Sequence, residues 1–285
     1  MQTEKAFVAV DLGGTRMRLL AESAGHWRTK VVPTGKSFSG HDVEASLKQF
    51  LGELPVAPAC LGIAIPGLVD ERGQVVACDV LPSIEGIGRT SFEFAGCPVH
   101  LVNDVEAGLI EESFDLPPNV VSVLVMVGTG IGMAFKMNGR ICRGSKGWAG
   151  ELGKIPLCCE SVVKTLDDLA SGASIVAKLG GEIGSIQERI KAHDPEVMQA
   201  LRMAGWALGL GLASIINLLN PELMILGGGT LRFPGYYEAA LESSAQHSMP
   251  QPWQACTIRR PREEELVVAL GAIRFARNQG LINHA

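Results

Sequence analysis

The chain has 285 residues, of which 47% are hydrophobic, 19% charged and 5% aromatic, with 34 glycines. That length gives room for two domains and a large core, and that composition excludes both a disulfide miniprotein and a disordered chain. A formal charge of −5, from 25 basic and 30 acidic residues, gives no polycationic surface for nucleic acid.

From the N-terminus, Glu4 and Lys5 precede a short apolar run ending at Asp11. This is not the pattern of a signal peptide, so a cytoplasmic protein is expected. Residues 7–11 read as a strand, Gly13-Gly14 as a tight turn and residues 17–20 as the returning strand. Residues 61–65 form a buried-type strand stopped by Pro66-Gly67. Residues 99–102 form another, stopped by Asn103-Asp104 and followed by a helix over 105–112. A domain crossing is expected near 115–119. Residues 121–127, the turn Gly128-Thr129-Gly130-Ile131-Gly132 and residues 133–135 then repeat the opening plan, and Asn138-Gly139 marks a hairpin. The repeat, about 115 residues from the first, suggests two related α/β halves with a cleft between them. Residues 203–221 are uncharged over nearly the length of a membrane span. The glycines, Ser214, Asn217 and Asn220 within that stretch, and the lack of a flanking basic bias, instead favour a buried helix and no membrane contact. Residues 224–226 are a strand stopped by Gly227-Gly228-Gly229-Thr230, Arg259, Arg260 and Arg262 are answered by Glu263 to Glu265 as a solvated surface segment, and residues 266–278 read as a closing helix. Seven cysteines, at 60, 78, 97, 142, 158, 159 and 256, are odd in number and scattered, as reduced thiols are.

Polar and glycine residues placed directly after strands sit where α/β proteins hold ligands. In Asp11-Leu12-Gly13-Gly14-Thr15, the backbone N–H groups of the turn suit phosphate oxygens, and the Asp11 carboxylate suits a hydrated magnesium ion beside them. One such turn is an ordinary hairpin. Three, after three buried strands, point to an adenine-nucleotide cradle, although none has the P-loop spacing. Asp104 is the candidate for chemistry. An Asn-Asp pair at a strand end suits a general base that takes a proton from an alcohol, with Asn103 ordering the same substrate. The competing reading is a helix N-cap at Asp104. The phosphate loops favour the base, because phosphoryl transfer needs positioning, magnesium and one carboxylate near the acceptor hydroxyl.

Together, DLGGT, IPGLVD at 65–70, VNDVEAG at 102–108, GTGIG, GWAGELGKIPL at 147–157 and NPELMILGGG at 220–229 resemble the ROK family of sugar kinases, within the actin-like ATPase superfamily. The texture of 150–157 and 226–234 looks closest to D-allose kinases. The resemblance implies a two-lobed actin-like, ribonuclease H-like α/β fold, with an N-terminal lobe of 1–116 plus 270–285 and a C-terminal lobe of 117–269. It implies ATP-dependent phosphorylation of a hexose or amino-sugar hydroxyl with Mg²⁺, in a homodimer, or else a sugar sensor of the same fold that does not turn over. By this resemblance Asp104 is the base, Asn103 and Glu151 bind sugar hydroxyls, and Pro66 and Gly67 shape the pocket. Gly13, Gly14, Thr15, Thr129 and Gly130 hold the ATP phosphates, and Gly228 and Gly229 lie near the adenosine. Repressors of the family carry a winged helix before the first strand, and DLGGT begins here at residue 11, so no such domain is expected.

The chain departs from the family on the sugar side. Most members have a histidine three residues after the glutamate of the ELG run, joined by three cysteines on a structural zinc. Here that position is Lys154, followed by Cys158-Cys159, so no zinc is expected and these thiols read as two small buried side chains. A second sugar-binding glutamate of the family aligns with Asp167, with Asp168 as rival, and the family's Asn-Leu-Pro becomes Val80-Leu81-Pro82. A buried Lys154 near Glu151 is expected either to contact an acidic or phosphorylated sugar or to form a salt bridge where the zinc ligand stood.

Overall fold

The structure, a computed structural model, describes residues 5–23, 25–159, 162–180 and 183–282, with 158–159 and 280–282 by their backbone alone. In chain order its elements are β1 (Ala6–Leu12), β2 (Arg16–Ser23), β3 (His26–Pro33), α1 (Gly40–Gly52), β4 (Pro58–Ile65), β5 (Leu68–Val69), β6 (Val75–Ala77), β7 (Val99–Asn103) and α2 (Asp104–Glu112). There follow β8 (Ser122–Val127), β9 (Ile131–Met137), β10 (Arg140–Ile141), β11 (Pro156–Cys159), β12 (Val162–Thr165), α3 (Leu166–Ala170), α4 (Gly172–Leu179), α5 (Ile183–Lys191) and α6 (Pro195–Leu219). The last are β13 (Leu223–Gly227), α7 (Tyr236–His247), α8 (Pro250–Ala255), β14 (Thr257–Arg259) and α9 (Val267–Ile282).

These elements divide into two compact units, one of Met1–Asp115, Arg143–Trp148 and Glu265–Ala285, the other of Leu116–Cys142 and Ala149–Glu264. In the first, a sheet of order β3-β2-β1-β4-β7 has antiparallel β1, β2 and β3, with β4 and β7 parallel to β1. β4 is apolar almost throughout and buried from Leu61 to Ile65, as a parallel strand covered on both faces must be. α1 supplies Val43, Leu47 and Phe50 to the core of this unit, and α9 packs on β1, β4 and α2.

The second unit repeats the plan. Its sheet has the order β10-β9-β8-β13-β14, again with three antiparallel strands followed by two parallel ones. The turn between β9 and β10 has Asn138 and Gly139 both at positive φ, 51° and 74°, the pair of values a two-residue hairpin with right-handed twist requires. The internal duplication is therefore a shared topology, and this mixed α/β plan is that of the actin-like ATPase fold. The uncharged stretch is part of α6, which starts at Pro195 because Asp194 caps it, accepting from the Glu196 and Val197 amides at 3.0 and 3.4 Å. By length and composition α6 could cross a membrane, yet 61% of its most apolar window is buried, against α7 and α3 among others. It is the central helix of its unit.

Two details depart from the sequence reading. Arg143–Trp148, inside the expected second lobe, belongs to the first unit: Arg143 pairs with Glu106 on α2, and Gly147 packs under Leu68. The arginine cluster is also more than a solvated segment. Arg260 is half-buried, donates from Nη2 to the Leu231 carbonyl at 2.9 Å and stacks on the Tyr237 ring at 4.3 Å, where its charge meets the face of the aromatic quadrupole.

Candidate active site

Because β1, β4 and β7 run parallel, their carboxyl ends share one edge of the sheet. Asp11 lies opposite Ala64, and Ile65 lies opposite Asn103. That register brings Asp11, the Pro66-Gly67 turn and Asn103-Asp104 to one place in the first unit. Asp104 is half-buried at the first position of α2. Burial pushes its carboxyl up, the neighbouring Asp11 charge pushes it further, and the Val105 N–H donating at 2.9 Å opposes both, leaving it at about 7. Burial likewise raises Asp11 to about 6, against the pull of Arg18 and then Arg16. Two carboxylates therefore sit close together in a poorly solvated place, each poised near neutrality.

The cap of α2 is Asn103, not Asp104. Asn103 Oδ1 accepts from the Val105 and Glu106 amides at 2.9 and 3.0 Å, and its Nδ2 donates to the Gly67 carbonyl at 3.1 Å. The N-cap reading of Asp104 is thus corrected: the residue before it satisfies the helix, and the Asp104 carboxylate is left for other work. Asn103, expected to order a sugar, spends its carbonyl oxygen on the helix and one of its two N–H groups on the turn. The same bond holds the Pro66-Gly67 turn, whose Pro66 carbonyl accepts from Cys78 Sγ at 3.3 Å.

The β1–β2 turn is anchored from one side. Gly13 N–H donates to the Arg16 carbonyl at 2.9 Å, the Gly13 carbonyl accepts from Thr34 Oγ1 at 2.6 Å, and the Thr15 carbonyl accepts from the Thr34 amide at 3.1 Å. Of the expected phosphate ligands Gly13 has therefore spent its donor. The N–H groups of Gly14 and Thr15 have no partner among the described residues. Val80 lies directly over this turn, and a methyl group at Gly14 would overlap its Cγ1. Sequence reading singled out neither Thr34 nor Arg18. The signal for Arg18 was one charge inside an apolar strand: it is 7% exposed, opposite Asp11 in register and paired with Glu265 at 3.3 Å.

In the second unit the equivalent turn is held more firmly. Gly128 N–H donates to the Gly130 carbonyl at 2.9 Å. The Gly128 carbonyl accepts from Gly172 N–H at 2.8 Å and Thr230 Oγ1 at 3.1 Å, and the Thr129 carbonyl from Ala173 N–H at 3.2 Å. The carbonyls thus face the first turn of α4, whose cap is Ser171. The amides of Thr129 and Gly130 have no partner among the described residues. Gly228, at φ 104°, follows the end of β13, and Gly229 opens a short turn with no atom within 4 Å of where its Cβ would stand.

Glu151 is exposed and heads the turn Leu152–Lys154. Gly150 sets it there. At φ 104°, a conformation that suits glycine alone, its carbonyl accepts from Met133 on β9 at 3.0 Å and from Leu152 at 2.7 Å. Lys154, expected to be buried beside Glu151, is instead exposed over 55% of its side chain and pairs with Asp167 at 3.4 Å. An ammonium at the surface keeps its hydration, which burial would have stripped. Asp167 Oδ1 accepts from the Ile131 amide at 2.8 Å, at the end of the glycine turn. Asp168, its rival, is taken up in the cap of α3, accepting from Thr165 N and Oγ1 at 2.9 and 2.7 Å.

The predicted residues thus form two groups: Asp11, Gly13, Gly14, Thr15, Pro66, Gly67, Asn103 and Asp104 in the first unit, and Thr129, Gly130, Glu151, Lys154, Asp167, Gly228 and Gly229 in the second. Among the described residues no cluster of three or more His, Cys, Asp or Glu side chains could hold a metal ion. The Cys158 and Cys159 thiols lie outside what is described, and the other five cysteines are unbridged.

The ROK family model matches residues 7–279. Among similar proteins, the bifunctional enzyme NanE/NanK of Brucella suis is 26% identical over 254 residues, covering 85% of this chain and 48% of the relative. The chain therefore spans about half the length of that relative. The N-acetyl-D-glucosamine kinase of Histophilus somni is 25% identical over 278 residues, covering 85% of this chain and 90% of that one. Among solved structures, the ROK hexokinase of Thermus thermophilus is 28% identical and superimposes with a TM-score of 0.76, covering 98% of this chain and 99% of that one.

Proposed function

The chain belongs to the ROK family, and on that premise we propose that it is a cytosolic ATP- and Mg²⁺-dependent kinase of a hexose or amino-sugar hydroxyl. The observation that carries this reading is Asp104: a carboxylate freed from capping by Asn103, half-buried beside Asp11 and held near neutrality at about 7. A base of that strength can take the hydroxyl proton at physiological pH as the oxygen attacks the γ-phosphate. The amides of Gly14 and Thr15 in one unit, and of Thr129 and Gly130 in the other, which have no partner among the described residues, are donors suited to phosphate oxygens. Glu151 and the remaining Asn103 N–H are suited to sugar hydroxyls.

The Asp11–Asp104 pair fits a divalent cation, since burial raises both carboxyls and the Asp11 charge raises Asp104 further, and a cation would relieve both. As no group of three metal-holding side chains occurs among the described residues, Asp11 would hold hydrated magnesium through water, phosphate oxygens completing the shell. Magnesium bound there supplies charge neutralisation at the phosphates. A sensor that binds sugar without turnover is the second reading, favoured by the commitment of Asn103 and Asp167 to backbone partners on the sugar side.

The test is ADP release with a panel of aldohexoses, N-acetylhexosamines and amino sugars. D-Allose belongs in it, because residues 150–157 and 226–234 have the texture of allose kinases. ADP release with one sugar supports the kinase. Thermal-shift binding without ADP for every sugar identifies the sensor and refutes the enzyme.

A further inference from the structure

The structure assigns Asp167 a place different from that of a sugar ligand: we propose that Asp167, steadied by Lys154, is a positioning residue that clamps the second phosphate turn in its binding conformation. The inference rests on the kinase reading and names a determinant of ATP binding within it.

The second phosphate turn presents two amides outward, those of Thr129 and Gly130. Each peptide in Gly128-Thr129-Gly130-Ile131 can rotate between two orientations, and only one of them turns the Thr129 and Gly130 N–H groups toward a ligand. Three bonds fix the carbonyls of its first half toward α4 and Thr230, as described above. In the second half the Gly130–Ile131 peptide is held from both sides, its carbonyl accepting from the Gly128 N–H at 2.9 Å and its N–H donating to Asp167 Oδ1 at 2.8 Å, its one side-chain anchor among the described residues. Without Asp167 that peptide keeps only the Gly128 bond to its carbonyl and its junction with β9, and the Gly130 donor beside it gains freedom. A flexible donor pays conformational entropy on binding, whereas a fixed one does not.

The setting of Asp167 fits a clamp. It sits at the start of α3, where its negative charge complements the helix N-terminus. Gly153 packs against the carboxylate so closely that a methyl there would overlap Oδ1, Cγ and Oδ2, and Gly130 lies on its other side, 3.7 Å from Oδ1 to the place of a Cβ. The carboxylate is thus wedged between the sugar-side turn of Glu151 and the phosphate turn. Its second oxygen faces Lys154 at 3.4 Å, an ion pair with an exposed ammonium, so Lys154 holds the rotamer while the amide bond does the clamping. The lysine that stands in the family's histidine position thereby serves the nucleotide through Asp167.

The test is direct binding of AMPPNP with Mg²⁺, and separately of adenosine, to the intact wild-type chain and to Asp167→Ala, Asp167→Asn and Lys154→Met. Asn retains an acceptor of the same shape, and thermal midpoints report whether each variant folds. The expected result is AMPPNP affinity about 10- to 50-fold weaker in Asp167→Ala, recovered to within about fivefold in Asp167→Asn, and changed by less than about fivefold in Lys154→Met, with adenosine affinity unchanged throughout. A merely structural role would lower both affinities together, and that outcome overturns the clamp. So does AMPPNP affinity in Asp167→Ala equal to wild type. If the wild type itself binds no AMPPNP while folded, the kinase reading falls, and the clamp with it.

Discussion

Asp104→Asn should inactivate the protein and, above pH 7, make it more stable. Asn keeps the shape of the side chain and an oxygen to accept the Val105 N–H, but it cannot take a proton or carry charge. The unfolded chain releases the Asp104 proton near 3.8 and the folded chain at about 7. Below pH 3.8 both states hold the proton and the carboxyl carries no penalty. As pH rises through that window, the unfolded state gains by ionising while the folded state does not. The loss of stability grows by about 1.4 kcal/mol per pH unit and levels off above pH 7. The ceiling is about 4 kcal/mol, and solvent reaching a half-buried carboxylate brings the realistic figure to about 1–4 kcal/mol. Urea unfolding of wild type and variant at pH 5 and pH 8, without nucleotide or divalent cations, measures it. The variant's advantage should widen by about 1–3 kcal/mol between those two pH values, while kcat for the sugar found by the panel falls about 10²–10⁴-fold. An advantage that does not change with pH, or a variant less stable than wild type at pH 8, would refute the account of Asp104 as a carboxylate strained by burial and by Asp11.

The same carboxylates set the pH profile: kcat/KM should rise through an acid limb near pH 7, where Asp104 loses its proton, and Asp11→Asn, by removing the adjacent charge, should move that limb to lower pH. A limb that stays put would mean that Asp11 does not act on Asp104. Gly14→Ala should weaken AMPPNP binding, because its methyl overlaps Val80 Cγ1 and pushes the turn aside. Val80→Ala in the same chain should restore it, and a double variant no better than Gly14→Ala would contradict the packing. Prolonged dialysis against a zinc chelator should leave the thermal midpoint unchanged, with elemental analysis of the purified protein finding no stoichiometric zinc.

What could be read in the sequence, and what could not, follows from the range of the forces involved. The strands at 7–11, 61–65, 121–127 and 224–226, and the glycine turns after three of them, are local: apolar runs and backbone conformations announce themselves within a few residues. The duplication was legible for the same reason, since a strand, turn and strand written twice fold twice into one strand order. Side-chain pairings belong to another scale. Lys154 pairs with Asp167, thirteen residues on, because that carboxylate is brought alongside when α3 packs under the turn. The chemistry of Asn103-Asp104 likewise turned on which of two adjacent residues caps α2, and either could have done so by composition. That choice has consequences at the site. With Asn103 accepting from both the Val105 and Glu106 amides, Asp104 shares only the Val105 N–H and can be buried next to Asp11 at a cost to stability. Had Asp104 been the cap, further N–H groups of the first helical turn would have joined the Val105 and Asp104 N–H groups that already pull its pKa down, moving it toward the ordinary carboxylate range and away from a base useful at neutral pH. The Asn-Asp order therefore separates the structural duty from the chemical one, and the reverse order, Asn103→Asp with Asp104→Asn, should cap the helix equally well and leave no base near pH 7.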